Sequence, residues 1–315
     1  MVKENGKKMI TIPETDLVVH PLCLGTNVFG WSADETESHQ VLDAYAAHGG
    51  NFLDTADVYS QWKPGNQGGE SETIIGNWLK NRDRSKIVVA TKVSMLNTRP
   101  GLSAKNILAA CDDSLRRLQT DYIDIYYSHR DETETPMAET LGAYAELVAA
   151  GKVRYIAASQ HTGARLQEAL DISAANGFPS YIGLQDQYNL IYRQPFESEQ
   201  QPVLAANHLS AMPFYGLARG FLTGKYRPGV KVESVRAEGV AEFYSDKNWA
   251  VLDKVREIAQ ERNLPVATIA LAWLRTNPQV STPIASARTV EQLEEIVQVV
   301  ELNESELASL NSLSA

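Results

Sequence analysis

Four residues that could together reduce a carbonyl group stand at the ends of three successive predicted strands or in the loop beyond. Asp54, Lys92 and His129 end these strands, and a phenol, Tyr59, follows the first of them. Hydride transfer to a carbonyl leaves an alkoxide that needs a proton, but a tyrosine with a pKa of ~10 is a poor acid near neutrality. A buried ammonium beside Tyr59 is expected to stabilise the phenolate and lower that pKa. A carboxylate would keep the ammonium charged, and an imidazole would orient the carbonyl oxygen.

The elements that must position these side chains alternate regularly. Short β-branched or aromatic runs predict strands at 18–26, 51–54, 86–92, 122–127, 153–158, 181–185, 210–215 and 280–285. Runs with helical spacing predict helices at 34–48, 70–80, 103–118, 136–151, 163–175, 197–207, 248–263, 266–275 and 290–300. About eight strand–helix units favour an α/β fold, the (β/α)8 TIM barrel, whose active site lies at the carboxyl ends of its strands.

Residues 9–20 precede the first unit and predict an N-terminal β-hairpin that covers the bottom of the barrel. The chain has no internal repeat and no linker-like stretch, so we expect one barrel domain over residues 1–315. The Gly- and charge-rich stretch 223–245 is predicted to be a long loop on the functional face. The competing fold, a doubly wound open sheet, usually carries G-x-G-x-x-G after its first strand, and this sequence has neither that string nor a P-loop.

Composition and charge argue against several classes of protein. Of the 315 residues, 43% are hydrophobic and 22% are charged, which is a globular balance and argues against disorder. The net charge of -10 disfavours nucleic acid or an anionic membrane as the main partner. No apolar run approaches the ~18 residues of a membrane span, and we expect no signal peptide. Cys23 and Cys111 form no C-x-x-C pair, so we expect no disulfide framework and a cytoplasmic location.

The sequence predicts no metal site. His20, His39, His48 and His208 lack metal-ligand spacing, and the H-E-x-x-H string is absent. The four residues at or just beyond the strand ends predict a small-molecule carbonyl substrate as the partner, nucleic acid and membrane are disfavoured, and the oligomeric state stays open.

Five segments of the chain resemble those of the aldo-keto reductase family. FLDTADVY at 52–59 resembles its D-T-A-x-x-Y signature, and SLRRLQTDYID at 114–124 resembles its S-L-x-R-L-x-x-D-Y-I-D segment, with His129 ending the strand that follows. The run TPMAETLGAYAELVAAGKVRYIAAS at 135–159 resembles the next helix and strand of the family. LARGFLTGKY at 217–226 and PIASARTVEQLEE at 283–295 resemble its two late cofactor segments. The resemblance extends from Leu24 to Glu295.

This resemblance implies a (β/α)8 barrel that binds a nicotinamide cofactor, normally NADPH. It assigns catalysis to Asp54, Tyr59, Lys92 and His129. The expected cofactor-binding residues are Gly25, Thr26, Asn27, Asp54, Ser159, Gln160, Gln185, Phe214, Leu217, Arg219, Gly220, Lys225, Ser286, Arg288, Gln292 and Glu295. Among them, Ser159 and Gln185 would hold the nicotinamide carboxamide, and Phe214 would lie against the ring. The segment 217–225 would wrap the pyrophosphate, and the last four residues would surround the adenosine phosphate and adenine near a helix N-terminus.

The sequence departs from the family pattern at four positions, none of them in the catalytic set. Gln160 stands where the family often has Asn, Phe214 where it often has Tyr, Gly216 where it often has Pro, and Ile296 where it often has Asn. Trp31 and Trp62 lie in predicted rim loops, where an aromatic side chain either packs or forms a wall of the substrate site.

Three functions remain open at this stage. The leading hypothesis is an NADPH-dependent reductase of aldehydes or ketones with Tyr59 as the proton donor. The second is a nicotinamide-binding regulatory subunit of the same fold with little turnover. The third, a barrel aldolase with Lys92 as a Schiff-base nucleophile, is disfavoured by Tyr59, Asp54 and the anion-binding segment near the C-terminus. The rim loops 61–69, 130–135 and 227–243 are expected to set the substrate.

Overall fold

A computed structural model describes residues 2–4, 7–230 and 237–315, and it confirms the predicted (β/α)8 barrel. Three short antiparallel strands come first: β1 (Val2–Glu4), β2 (Lys7–Thr11) and β3 (Val18–Val19). The parallel strands are β4 (Cys23–Gly25), β5 (Phe52–Asp54), β6 (Val88–Val93), β7 (Ile123–Ser128), β8 (Val153–Ser159), β9 (Tyr181–Gln185), β10 (Ser210–Ala211) and β11 (Ile284–Ala285). Their spatial order runs from β10 down to β4 and then to β11. A parallel bridge between Ala211 and Val280 closes the ring.

Helices surround this ring and pack against their sequence neighbours. They are α1 (Glu35–Ala47), α2 (Glu70–Leu79), α3 (Ala104–Leu118), α4 (Met137–Ala149), α5 (Gly163–Asn176), α6 (Gln201–Ala206), α7 (Ala237–Ala241), α8 (Asp246–Glu261), α9 (Val266–Leu274), α10 (Val290–Ile296) and α11 (Glu304–Ser314). Local sequence sets where several of them begin. Asp34 and Glu37 form a capping box at α1, and the side chain of Ser103 caps α3 by accepting a hydrogen bond from the Asn106 N–H.

Prolines account for the strands that are shorter than predicted. The predicted strand 18–26 is divided into β3 and β4 around Pro21, and the predicted strands 210–215 and 280–285 contain Pro213 and Pro283. Proline has no N–H for the ladder, so β10 and β11 keep only two residues each. The structure also contains three elements absent from the sequence analysis, namely β1, α7 and α11. In the predicted loop 223–245 and the predicted rim loop 227–243, residues 231–236 lie outside the described residues.

The predicted N-terminal hairpin is confirmed, and it packs on the apolar interior of the barrel. Ile12, Leu17 and Val19 belong to one buried cluster with Cys23 and Phe52, which are strand residues of the barrel. A separate and larger cluster lies between the strands and the helices. Strands buried on both faces are typical of parallel sheets covered by helices. In the described ranges, every helix is too short or too polar to cross a lipid bilayer.

Candidate active site

Neighbouring strands bring the four predicted catalytic residues to the carboxyl end of the barrel. Asp54 is the last residue of β5, Lys92 lies near the end of β6 and His129 directly follows β7. The Lys92 Nζ donates to Asp54 Oδ2 at 2.7 Å and lies 3.0 Å from the Tyr59 hydroxyl oxygen. The Tyr59 hydroxyl also donates to Asp54 Oδ2, at 3.2 Å. The ring of His129 meets the ring of Tyr59 edge-on, with centroids 5.9 Å apart.

Backbone and amide contacts fix this arrangement before any ligand is present. The Lys92 Nζ donates to the Thr55 carbonyl at 2.8 Å, and the Gln185 amide donates to Asp54 Oδ1 at 2.8 Å. Both carboxylate oxygens of Asp54 are therefore used. The N–H of His129 donates to the Val93 carbonyl at 2.9 Å, which ties the start of one loop to the neighbouring strand. Preorganised groups of this kind need no rearrangement at the moment of reaction.

The expectation that Lys92 lowers the pKa of Tyr59 is wrong for this structure. Burial raises the pKa of Tyr59 well above its ordinary value, and the Asp54 carboxylate raises it further by charge and by a hydrogen bond. The Lys92 ammonium is already paired with that carboxylate at 2.7 Å, so the pair offers the phenol little net positive charge. Burial also lowers the pKa of Lys92. Tyr59 therefore keeps its proton through the neutral pH range.

Burial keeps the imidazole of His129 neutral. It lowers the pKa of His129 well below its ordinary value, and the charges of Lys92 and Arg130 lower it further. The Nδ1 atom of His129 is buried and has no hydrogen-bond partner within the described part of the chain. A buried polar atom without a partner costs about 1–3 kcal/mol, so this nitrogen is a natural contact for a ligand atom.

A cavity of about 1300 Å³ opens over the four side chains. All the predicted site residues line it except Thr26, Lys92 and Trp31. The hydroxyl of Thr26 donates to the Asp54 carbonyl at 2.8 Å and faces the hydroxyl of Ser71, so this side chain supports the rim from behind. Lys92 is fully buried beneath Tyr59 and Asp54.

Near the tetrad, the cavity offers small or unpartnered groups. The Oγ of Ser159 is buried without a hydrogen-bond partner among the described residues. A Cβ on Gly25 would lie 2.8 Å from the Ser286 Oγ and 2.9 Å from the Ile284 side chain, so a larger residue would force these side chains to shift where this backbone lines the cavity. Gln160 has a left-handed backbone with φ of 53°, and its amide donates to the His129 carbonyl at 2.9 Å. Phe214 presents its ring edge-on to Tyr215, with centroids 4.9 Å apart.

The predicted pyrophosphate segment is a tight turn, and one of its two cations, Arg219, is already paired with a carboxylate. Ala218–Thr223 forms a 3-10 turn in which Arg219 and Gly220 have φ values of 54° and 106°. The Arg219 guanidinium lies 3.0 Å from the carboxylate of Glu242 and 4.9 Å from the ring centroid of Tyr215. The structure therefore brings this segment to the cavity, but with Arg219 bound to a carboxylate just beyond α7.

The far end of the cavity holds the four residues predicted for the adenosine part of the cofactor. The Ser286 hydroxyl donates to Asn27 Oδ1 at 2.7 Å, which links the loops after β11 and β4. The Arg288 N–H donates to Gln292 Oε1 at 3.0 Å. In the described chain, the guanidinium of Arg288 has no hydrogen bond or ion pair. Glu295 also lines this end.

Comparison with known proteins decides the family. The model of the aldo/keto reductase family matches residues 21–315. This chain belongs to the aldo/keto reductase family. The chain is 32% identical to the protein tas of Escherichia coli K12 over 96% of each chain. It is 34% identical to the uncharacterized oxidoreductase YrpG of Bacillus subtilis, over 92% of this chain and 90% of that one. It is also 30% identical to a probable voltage-gated potassium channel subunit beta of Arabidopsis thaliana, over 92% of this chain and 90% of that one.

Membership of the aldo/keto reductase family agrees with the geometry of the cavity. The family carries out oxidation and reduction of carbonyl compounds and generally uses a nicotinamide cofactor. The contact between Tyr59, Lys92 and Asp54 supplies a proton donor and a cation, and the imidazole of His129 faces the same space.

An aromatic wall borders the cavity of this family member beside Tyr59. Trp62 is 47% exposed and lies edge-on to Tyr59 and to Trp31, with centroids 6.2 and 5.7 Å away. The loops that carry the two tryptophans are held together, because the Ser60 hydroxyl donates to the Phe29 carbonyl at 2.6 Å. Trp62 thus faces the cavity, whereas Trp31 packs behind it as a support.

Several cavity-lining residues of this aldo/keto reductase were missed in the sequence analysis. They are Met95, Asn97, Asp186, Gln187, Tyr192 and Tyr215, whereas Arg130 belongs to the predicted rim loop 130–135. All of them except Tyr192 lie just after a predicted strand or at its end, so the rule that barrel sites lie at the carboxyl ends of strands could have found them. Their residue types alone gave no signal, because single polar or aromatic residues in loops are common.

Proposed function

We propose that this protein is an NADPH-dependent reductase of aldehydes or ketones. The observation that carries the proposal is the three-way contact of Tyr59, Lys92 and Asp54 at the floor of an open cavity. A phenol that keeps its proton and a buried ammonium 3.0 Å away are what protonation of an alkoxide requires.

The four side chains at the floor of the cavity have different roles in the proposed reduction. When bound, the nicotinamide supplies the hydride to the carbonyl carbon. Tyr59 transfers its hydroxyl proton to the carbonyl oxygen, and the Lys92 ammonium stabilises the phenolate that remains. Asp54 holds the ammonium in place. His129, neutral and with an unpartnered nitrogen, donates a hydrogen bond to the substrate carbonyl oxygen and orients it.

The residues present fit a nicotinamide dinucleotide phosphate. The unpartnered Ser159 Oγ, which lines the cavity near the tetrad together with Gly25, suits a flat amide-bearing ring there. At the other end, Arg288 is an arginine without a partner among the described residues, and a guanidinium matches a phosphate group through planar charge-assisted donors. We therefore propose NADPH rather than NADH as the preferred cofactor.

We also propose that residues 1–315 form one catalytic domain that acts on a small carbonyl compound. Trp62 is proposed as one wall of its substrate site, since it borders Tyr59 inside the cavity. The two cysteines, Cys23 and Cys111, are buried and unpaired, which agrees with a reducing cytoplasm.

A second candidate function is a nicotinamide-binding subunit with little turnover. The similarity to a protein named as a probable potassium channel subunit beta favours it. The two functions differ in whether the cofactor is consumed repeatedly.

Turnover and binding can be measured side by side with the purified full chain. We expect the protein to oxidise many equivalents of NADPH with 4-nitrobenzaldehyde or a reactive diketone, followed by the loss of NADPH absorbance. Fluorescence titration gives NADPH binding on the same sample. Tight NADPH binding without turnover across a broad panel of carbonyl compounds would reject the reductase proposal in favour of the subunit.

A further inference from the structure

Two arginines stand apart from the others that the structure describes. The guanidinium groups of Arg130 and Arg288 have neither a hydrogen bond nor an ion pair with the described chain, and both residues line the cavity. The remaining described arginines bind carboxylates or backbone carbonyls, as Arg165 does with Asp131 at 2.8 and 2.9 Å. Arg288 lies at the end proposed for the adenosine phosphate. Arg130 lies at the opposite end, next in sequence to His129.

The backbone on both sides of Arg130 is fixed. The N–H of His129 donates to the Val93 carbonyl, and the carbonyl of His129 accepts from the Gln160 amide, each at 2.9 Å. On the other side, the carboxylate of Asp131 is held by both nitrogens of the Arg165 fork. The base of the Arg130 side chain is therefore held at the rim, and only its own rotamers remain free.

The neighbouring acids do not neutralise Arg130. Asp131 is bound to Arg165, and the carboxylate of Glu132 accepts from the backbone N–H groups of Leu102, Glu134 and Thr135 at 3.0–3.3 Å. The charge of Arg130 also acts on the catalytic residues, since it helps to lower the pKa of His129. The chain as a whole carries a net charge of -10, so the unpaired positive charge of Arg130 makes this rim differ in sign from the protein's overall charge.

We propose that Arg130 binds a carboxylate on the substrate, so that the protein selects carbonyl compounds that also carry an acid group. This inference rests on the proposed reductase function. One guanidinium balances one negative charge, and its planar fork matches the two oxygens of a carboxylate. The aromatic wall at Trp62 borders the same space, so a flat aldehyde acid is a suitable probe.

Two probes that differ in charge but hardly in shape test the proposal: 4-formylbenzoate and its methyl ester. We expect the wild-type protein to show a kcat/KM about tenfold or more higher for the acid than for the ester, because a hydrogen bond to a charged group is lost in the ester. The variant Arg130→Gln should lose about 10- to 100-fold with the acid, mostly through KM, and little with the ester. The preference should shrink as salt screens the exposed charge.

Lys63→Gln is the matched control, since Lys63 is an exposed cation in the rim loop that carries Trp62 and does not line the cavity. It should leave the acid-to-ester ratio unchanged. Equal kcat/KM values for the acid and the ester in the wild type would overturn the proposal, as would an equal loss with both probes in Arg130→Gln. In either case turnover of the ester would leave the reductase function standing.

Binding of the product 4-(hydroxymethyl)benzoate tests the contact without turnover. Calorimetric titration into the wild-type protein with NADP⁺ should show binding that Arg130→Gln weakens by at least about tenfold. Equal binding by both proteins, or none by the wild type, would overturn the proposal even if neither aldehyde is reduced. Failure of both aldehydes alone would count against the reductase function.

Discussion

Beneath Tyr59 the buried charges are paired before any ligand binds, whereas toward the other end of the cavity one guanidinium has no partner in the described chain and another is held by a surface carboxylate. The Lys92 ammonium and the Asp54 carboxylate lie 2.7 Å apart and are almost completely buried. Arg288, at the far end, has no partner in the described ranges, and Arg219 is held by Glu242 at 3.0 Å.

The difference follows from the cost of burying charge. Burial of an unpaired ion costs several kcal/mol, so the lysine beneath Tyr59 must have its carboxylate from the moment the protein folds. An exposed or half-exposed guanidinium stays hydrated and gains little from a surface partner, so it is available to a phosphate. Folding therefore fixes the positions of the four side chains around Tyr59, and we propose that cofactor binding completes the far end.

Removal of the buried cation Lys92 should have the largest effect on activity. In Lys92→Met we expect reduction to slow by about 100-fold or more, because the phenolate left by Tyr59 loses its cation. The buried carboxylate of Asp54 would also lose its charge partner, which typically costs about 3–5 kcal/mol of folding stability. Steady-state kinetics together with thermal unfolding separate the two effects. Wild-type turnover in a folded Lys92→Met protein would contradict the role given to this ammonium.

The role proposed for Arg288 at the far end of the cavity is tested by comparing the binding of NADPH and NADH, which differ by one phosphate. Arg288→Ala should weaken NADPH binding by about 10- to 100-fold, the value of a charge-assisted hydrogen bond, and change NADH binding by no more than about threefold. Fluorescence titration of both cofactors measures the effect, and NADH serves as the internal control. Equal losses for NADPH and NADH would show that Arg288 does not contact the extra phosphate.

A smaller effect is expected where a cation is already bound by a surface carboxylate. Glu242→Gln frees Arg219, and since an exposed ion pair contributes about 0.2–1 kcal/mol, NADPH should bind up to about fivefold more tightly. The gain should vanish at high ionic strength. Titration at two salt concentrations measures it. Weaker NADPH binding in this variant would mean that Glu242 positions Arg219 rather than competing with the phosphate.

The smallest change in activity is expected when the pH is varied. The pKa of Tyr59 is raised above its ordinary value, so this donor loses its proton, and the protein its activity, only as pH rises through that higher pKa. The pKa of His129 is lowered, so its imidazole stays neutral at and above neutral pH. Between about pH 7 and about pH 9, kcat/KM for reduction should vary by less than about twofold. A tenfold decline with the slope of one proton inside that window would contradict these assignments.

The outline of the site was predictable from sequence because a barrel rim is defined by strand ends. Asp54, Lys92 and His129 were found in that way, and the structure brings them to one rim with Tyr59. The pKa of Tyr59 was not predictable in the same manner, because it depends on burial and on the pairing of Lys92 with Asp54.

Other details of the site depend on contacts between residues far apart in sequence. Thr26 is one of the predicted cofactor-binding residues, but its hydroxyl donates a hydrogen bond to the Asp54 carbonyl. Trp31 and Trp62 looked equivalent in sequence, and only packing places one in the cavity and the other behind it. The pairing of Arg219 with Glu242 joins residues on the two sides of a long loop, which no local pattern encodes.

The role of Tyr59 as the proton donor is tested by a single-turnover reduction in which Tyr59→Phe is compared with the wild type. The substitution removes one hydroxyl, and it leaves the Lys92–Asp54 pair and the far end of the cavity intact. With the protein preloaded with NADPH and mixed with 4-nitrobenzaldehyde in a stopped-flow instrument, the wild type should reduce the aldehyde in one fast phase. We predict a rate lower by about 10²–10⁴ in the variant, with NADPH binding changed by no more than about threefold. A single-turnover rate near that of the wild type would contradict the assignment of Tyr59 as the proton donor.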